Sequence, residues 1–108
     1  MAITYDEFRK TELRVALVEE AEPVPGTSKL LKLTLKVGSE KRQIVSGIAE
    51  LYSPEQVKGK KVVIVANLEP RTIRGVESQG MLLTAEGPDK KFALLSLDRD
   101  VEDGSEIR

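Results

Sequence analysis

LKLTLKVGSEKRQIVSGIAELYSPEQVKGKKVVIVANL, residues 31–68, decides how this chain folds. Leu31, Leu33, Leu35 and Val37 alternate with Lys32, Thr34 and Lys36, a period of two that gives an extended strand one apolar and one polar face. Gly38-Ser39-Glu40 supplies a turn, and Lys41 to Ser46 returns as the hairpin partner. Ser53-Pro54 then reads as an N-cap followed by proline at the first helical position, where the missing N–H is no loss. A short helix is therefore expected from Ser53 to about Lys58. Lys60 to Leu68 follows, with Val62, Val63, Ile64 and Val65 in unbroken succession, as in a strand covered on both faces.

Working outward, Thr4 is placed to cap a helical turn over Tyr5 to Lys10, with Asp6 and Glu7 suited to its N-terminal dipole. Leu13, Val15 and Leu17 alternate with Glu12, Arg14 and Ala16 and predict a strand before the break at Pro23, Pro25 and Gly26. Downstream, a polar loop spans residues 67–80, followed by a strand over Gly80 to Ala85, a turn at Gly87-Pro88-Asp89, a last strand over Phe92 to Leu97, and an acidic tail. Five or six short strands with one helix between the third and fourth predict an all-β chain. The specific expectation is the five-stranded oligonucleotide-binding (OB) barrel, which places a helix there to plug its end, with an N-terminal helix and a C-terminal extension added. Residues 1–108 read as a single domain. A chain of this length buries about 65% of the surface its unfolded form exposes, enough to fold without staples.

Composition narrows the chemistry. The chain has no histidine and no cysteine, which removes the usual general base, thiol nucleophile and most transition-metal sites, so no catalytic role, metal or cofactor is expected. No phosphate-cradling glycine loop or dinucleotide fingerprint occurs. Asp98, Asp100, Glu102 and Asp103 lack the loop glycine and terminal glutamate of a calcium loop and read as a solvated tail. Met1 to Tyr5 leads into Asp6 and Glu7 with neither a basic nor an apolar leader region, and no apolar run approaches a membrane span. A soluble cytoplasmic domain with no membrane contact is expected.

The net charge of −1 conceals a pattern. Residues 29–74 carry 10 basic and 4 acidic side chains, while residues 1–28 sum to −3 and residues 75–108 to −4. A positive middle between negative ends can attract a polyanion locally. Within it, Arg71 and Arg74 offer planar donor forks suited to phosphate. Asn67, Ser78 and Gln79 can read hydroxyls or base edges, and Lys29, Lys32, Lys36, Lys41 and Arg42 fall on or beside the two strands whose face binds oligonucleotides in this fold. Two plainer readings stand beside these: Met81 as core filler at a strand start, and Asn67, the sole asparagine, as a turn-former. Only Tyr5, Phe8, Tyr52 and Phe92 are aromatic, so recognition by backbone and shape is expected rather than serial base stacking.

VSGIA at 45–49, NLEPR at 67–71 and VESQGM at 76–81, in this order within a similarity that spans nearly the whole chain, resemble the tRNA-binding domain family. That family includes stand-alone dimeric tRNA-binding proteins and the C-terminal domain of methionyl-tRNA synthetases. The resemblance implies a barrel that recognises tRNA by shape near its outer corner, as a homodimer, either free-standing or appended to an aminoacyl-tRNA synthetase. Its interface would be built from the N- and C-terminal additions. Carried over by position, the RNA-binding candidates are Lys29, Arg42, Asn67, Arg71, Arg74, Ser78, Gln79 and Met81. One departure is Pro25-Gly26-Thr27-Ser28, where many members have Pro-Asn-Ala-Asp before the lysine. The alternative is a chaperone-like or protein-interaction OB module that binds peptide, although that branch lacks the S-Q-G-M form found at 78–81.

Overall fold

Strand β1, Leu13–Pro23, organises the rest of the computed structural model, which describes residues 1–108. Its first half pairs antiparallel with β4, Lys61–Val65, and its second half with β2, Leu31–Val37. Leu17 belongs to both ladders, opposite Lys36 and Lys61. The register on β2 shifts between Val18 and Glu20, leaving Glu19 as the extra residue of a bulge. A bulge bends its strand and adds twist, which is what curls this sheet toward a barrel.

β2 continues into β3, Glu40–Ser46, and β4 pairs with β7, Met81–Leu82, giving the strand path β3-β2-β1-β4-β7. Leu31, Leu33, Leu35 and Val37 are all buried and the three residues between them are not, as the alternation predicts. A one-residue slip would turn those four side chains to solvent, so the pattern itself fixes the register. Ala16, Val18, Ile44, Ile48, Val62 and Ile64 join them in one apolar cluster. Burying each of the larger of these side chains is worth about 1.5–3 kcal/mol.

Helix α2, Pro54–Val57, lies between β3 and β4 as expected. Ser53 accepts a hydrogen bond from the Gln56 amide, and the Gln56 side chain accepts in return from the Ser53 amide. Its one buried residue, Val57, is 1% exposed and belongs to the central cluster, so the helix plugs the barrel's end. The matching capping box of α1, Tyr5–Arg9, runs between Thr4 and Glu7.

The barrel closes where β3 meets residues 77–79. The Gln79 amide donates to the Gln43 carbonyl at 2.7 Å, the Gln43 amide donates to Gln79 Oε1 at 2.9 Å, and the Val45 amide donates to Ser78 Oγ at 3.0 Å. This is the five-stranded OB barrel, and side chains make most of its final seam.

Three segments differ from the sequence reading. The loop over 67–80 contains a hairpin, β5 (Arg71–Ile73) with β6 (Val76–Ser78). The strand expected over Gly80 to Ala85 is split into β7 and β8, Thr84–Glu86, and β8 pairs with the short β9, Phe92–Leu94. The acidic tail is not simply solvated: it ends in β10, Glu106–Ile107, which pairs with Leu13 and Arg14 of β1.

Asp103 anchors that tail. Its carboxylate accepts from Lys36 Nζ at 3.0 and 3.3 Å and from the Gly38 amide at 2.9 Å. The hydrogen bond from Lys36, and then that from Gly38, hold its pKa below the ordinary carboxylate value. A folded pKa lowered in this way contributes stability above the unfolded pKa of about 3.9, and that contribution is lost as pH falls through the folded value. Asp103→Asn is therefore expected to flatten the acid side of the stability profile, read by urea unfolding between about pH 2 and 5. A variant whose acid profile matches the parent's would refute this role.

Candidate functional site

The polar loop that follows β4 folds into a projecting two-stranded arm. Ile73 pairs with Val76, so Arg74 and Gly75 form the whole connection. Their φ values are 53° and 79°, as a type I′ hairpin turn requires at both central positions. Asparagine and glycine ordinarily occupy the first of these positions; an arginine there carries a backbone cost of order 1 kcal/mol. Arg74 is exposed at the tip and makes no hydrogen bond or ion pair. A costly conformation that places an unengaged cation at the end of an arm points to use outside the protein.

Below the arm runs a groove of about 670 Å³ between the end of β3, the segment 68–71 and β7. Leu68, Pro70, Ile73 and Met81 supply apolar wall, and Glu69, Arg71 and Gly47, just past the end of β3, also line it. Leu68 and Met81 are 46% and 47% exposed, so Met81 is a rim residue and not core filler. Lys29 adjoins the Gly47 end, since its carbonyl accepts from the Ala49 amide at 3.1 Å. Its own amide donates to Thr27 Oγ1 at 3.1 Å, so Thr27 shapes the loop just before it.

The predicted residues therefore fall into two groups. Lys29, Arg71, Arg74 and Met81 lie on or beside the groove with exposed side chains. Arg42, Asn67, Ser78 and Gln79 have their side-chain polar groups engaged inside the fold. Ser78 is 4% exposed; its hydroxyl accepts from Val45 and donates to the Gly80 carbonyl at 3.2 Å. Arg42 donates to the carbonyls of Ala66 and Gln79 and pairs with Glu40 at 3.3 Å. Asn67 accepts from the Glu12 amide at 2.9 Å and donates to the Lys10 carbonyl at 2.6 Å, tying the N-terminal segment to the end of β4. Leu68, Pro70 and Ile73, on the groove wall, were not singled out from sequence; the signal was their place among the polar residues of the loop.

Ion pairing divides the basic middle of the chain in the same way. Lys32 pairs with Glu22 at 2.6 Å, Lys41 with Glu19 at 3.2 Å, Lys58 with Glu20 at 3.2 Å, and Lys61 with Asp100 at 2.7 Å. With Lys36 on Asp103 and Arg42 on Glu40, six of the ten cations between residues 29 and 74 have acidic partners. The four without one are Lys29, Arg71 and Arg74 around the groove and Lys60 at the opposite end of β4. The lysines on the faces of β2 and β3 are thus neutralised locally. No group of three or more acidic side chains is gathered as a metal site.

A family model described as "Putative tRNA binding domain" matches residues 13–106. The methionine–tRNA ligase of Caldanaerobacter subterraneus is 56% identical over 105 residues, 97% of this chain; the chain spans only 16% of that relative's length. The crystal structure of a MetRS-related protein from Pyrococcus horikoshii is 42% identical, with a TM-score of 0.96, covering 100% of this chain and 99% of that one. The CsaA chaperone protein of Picrophilus torridus is 27% identical, with a TM-score of 0.89, covering 99% and 100%.

Proposed function

This chain belongs to the tRNA-binding domain family, a non-catalytic binding module, and from that membership we propose that it binds tRNA by shape, as a homodimer. It does so either free-standing or as a domain appended to methionyl-tRNA synthetase, whose hold on tRNA it strengthens by tethering. The observation that carries this reading is the selective lack of acidic partners for Lys29, Arg71 and Arg74 around one groove, on a chain whose other basic residues in that segment are largely paired. Phosphates are the natural complement of such a set. The test is a titration of bulk tRNA across a salt series. Three phosphate contacts per protomer predict that log Kd changes with log salt concentration with a slope of about 2 to 3. A flat response would sink the reading. Shape recognition further requires that unstructured RNA of equal length compete poorly with folded tRNA.

The termini support the dimer. α1 buries none of its residues, and Met1, Ile3 and Tyr5 are exposed apolar side chains in the same segment. Arg9 pairs with Glu106 at 3.0 Å, so this face adjoins the C-terminal strand. Together they offer an apolar surface suited to a second copy. Sedimentation at micromolar concentration should report a dimer, and a monomer would refute the assembly. The chaperone-like alternative draws on the apolar groove wall and the CsaA likeness; peptide binding insensitive to salt would favour it.

A further inference from the structure

We propose that the groove receives one extruded nucleobase of the RNA, a base with an exocyclic amino group, while the surrounding cations hold its flanking phosphates. The inference rests on the tRNA-binding reading and goes beyond it, because shape recognition alone needs no cavity. At about 670 Å³ the groove falls within the range of small-ligand sites, about 300–1,000 Å³, and is larger than backbone tracking requires.

Its walls suit a flat apolar plate. Met81, Leu68 and Pro70 present aliphatic surface and no aromatic ring, so they can contact a single base but offer no platform for a stacked series. The methionine thioether is polarisable and adapts to an irregular partner. Gly47, which also lines the groove, brings no side chain of its own to the wall.

Glu69 supplies the specificity. It lines the groove two residues from Arg71 yet has no cationic partner within ion-pair distance. A free carboxylate would repel phosphate, but it accepts readily from the exocyclic N–H groups of adenine, cytosine or guanine. Uracil, which presents a carbonyl in the equivalent place, is disfavoured. The cations argue for RNA over an apolar peptide as occupant: Arg71 on the groove, Arg74 on the arm and Lys29 beyond Gly47 frame it with unpaired positive charge.

The experiment compares hairpin RNAs that differ only in a one-nucleotide bulge: adenine, uracil or an abasic sugar with its phosphate retained. The adenine bulge is expected to bind about tenfold more tightly than the abasic one, with uracil between them. Met81→Ala should shrink the adenine-to-abasic ratio severalfold, and Glu69→Gln should narrow the gap between adenine and uracil. Both positions are exposed, so neither change threatens the fold. Equal affinity for adenine and abasic bulges would overturn the proposal. If that occurs while tRNA still binds with its salt dependence, the family reading survives and only the base pocket fails. If no RNA binds at all, both fail. If an apolar peptide binds the groove, shown by its loss in Met81→Ala, while the adenine-bulge RNA binds the peptide-saturated protein undiminished, the groove belongs to peptide and the proposal is equally overturned.

Discussion

Gly80→Ala is expected to lower the unfolding free energy by about 3 kcal/mol, from the combined cost of a left-handed backbone and an overpacked contact. Gly80 has φ +128°, and a Cβ there would lie 2.7 Å from the Val65 carbonyl oxygen and 3.2 Å from Ile44 Cδ1. The first of these atoms is backbone within the β4 ladder and cannot swing aside. The position also joins two functions of the barrel. Ser78 and Gln79, just before it, close the seam onto β3, while Met81 and Leu82, just after it, pair with β4. Any shift that relieves the clash loosens one of the two. Gly26→Ala is the natural comparison, because φ is +85° there but no atom lies within 4 Å of the added carbon. That change should cost only about 1 kcal/mol, the backbone component alone. Urea unfolding of both variants isolates the steric part, and a Gly80→Ala variant no worse than Gly26→Ala would show that the contact is not tight in solution.

Replacing Arg71 and Arg74 together by alanine is expected to weaken tRNA binding by about ten- to a hundredfold and to reduce the salt slope by about two. Neither side chain makes an internal hydrogen bond or ion pair, so the loss should appear in binding and not in stability. Arg74 permits a sharper form of the test. Because it occupies the first position of the I′ turn at φ 53°, Arg74→Asn should raise stability by about 0.5–1 kcal/mol while still weakening tRNA binding. A residue kept for structure cannot give that pairing of effects. Unchanged tRNA affinity in both variants would move the binding surface elsewhere. Asn67→Ala should behave oppositely, losing about 0.5–1.5 kcal/mol of stability through the exposed hydrogen bonds it makes to Glu12 and Lys10.

What could be read from sequence follows the range of the forces involved. The β2–β3 hairpin and the capped helix α2 are set by neighbouring residues: alternation from Leu31 to Val37, and the Ser53, Pro54, Gln56 arrangement. Their order along the chain was enough to identify the barrel. The roles of Ser78 and Gln79 were not legible. That Ser78 Oγ would meet the Val45 amide depends on closure of a sheet whose edges lie far apart in sequence. Charge shows the same limit. The excess of cations in the middle of the chain is plain in the sequence, but the pairing of Lys36 with Asp103 and of Lys61 with Asp100 joins that middle to the tail only once β1, β2 and β4 are assembled. Counting lysines on β2 and β3 therefore overstated that face, while Arg71 and Arg74, which form no ion pair, stayed unneutralised.

That uneven neutralisation leaves unpaired positive charge concentrated at the arm and groove of a molecule that is not a cation. With a net charge of −1, its overall field does not draw a polyanion from every side. On the proposed function, an RNA approaching the acidic flanks would be turned away, and one approaching the arm would be guided in. On that reading, the ion pairs that tie the tail to the barrel would act before contact as well as after folding, by orienting the encounter. Restoring charge to the paired faces, for example by removing their glutamates, would be expected to raise the frequency of collisions while lowering the fraction that arrive correctly aligned.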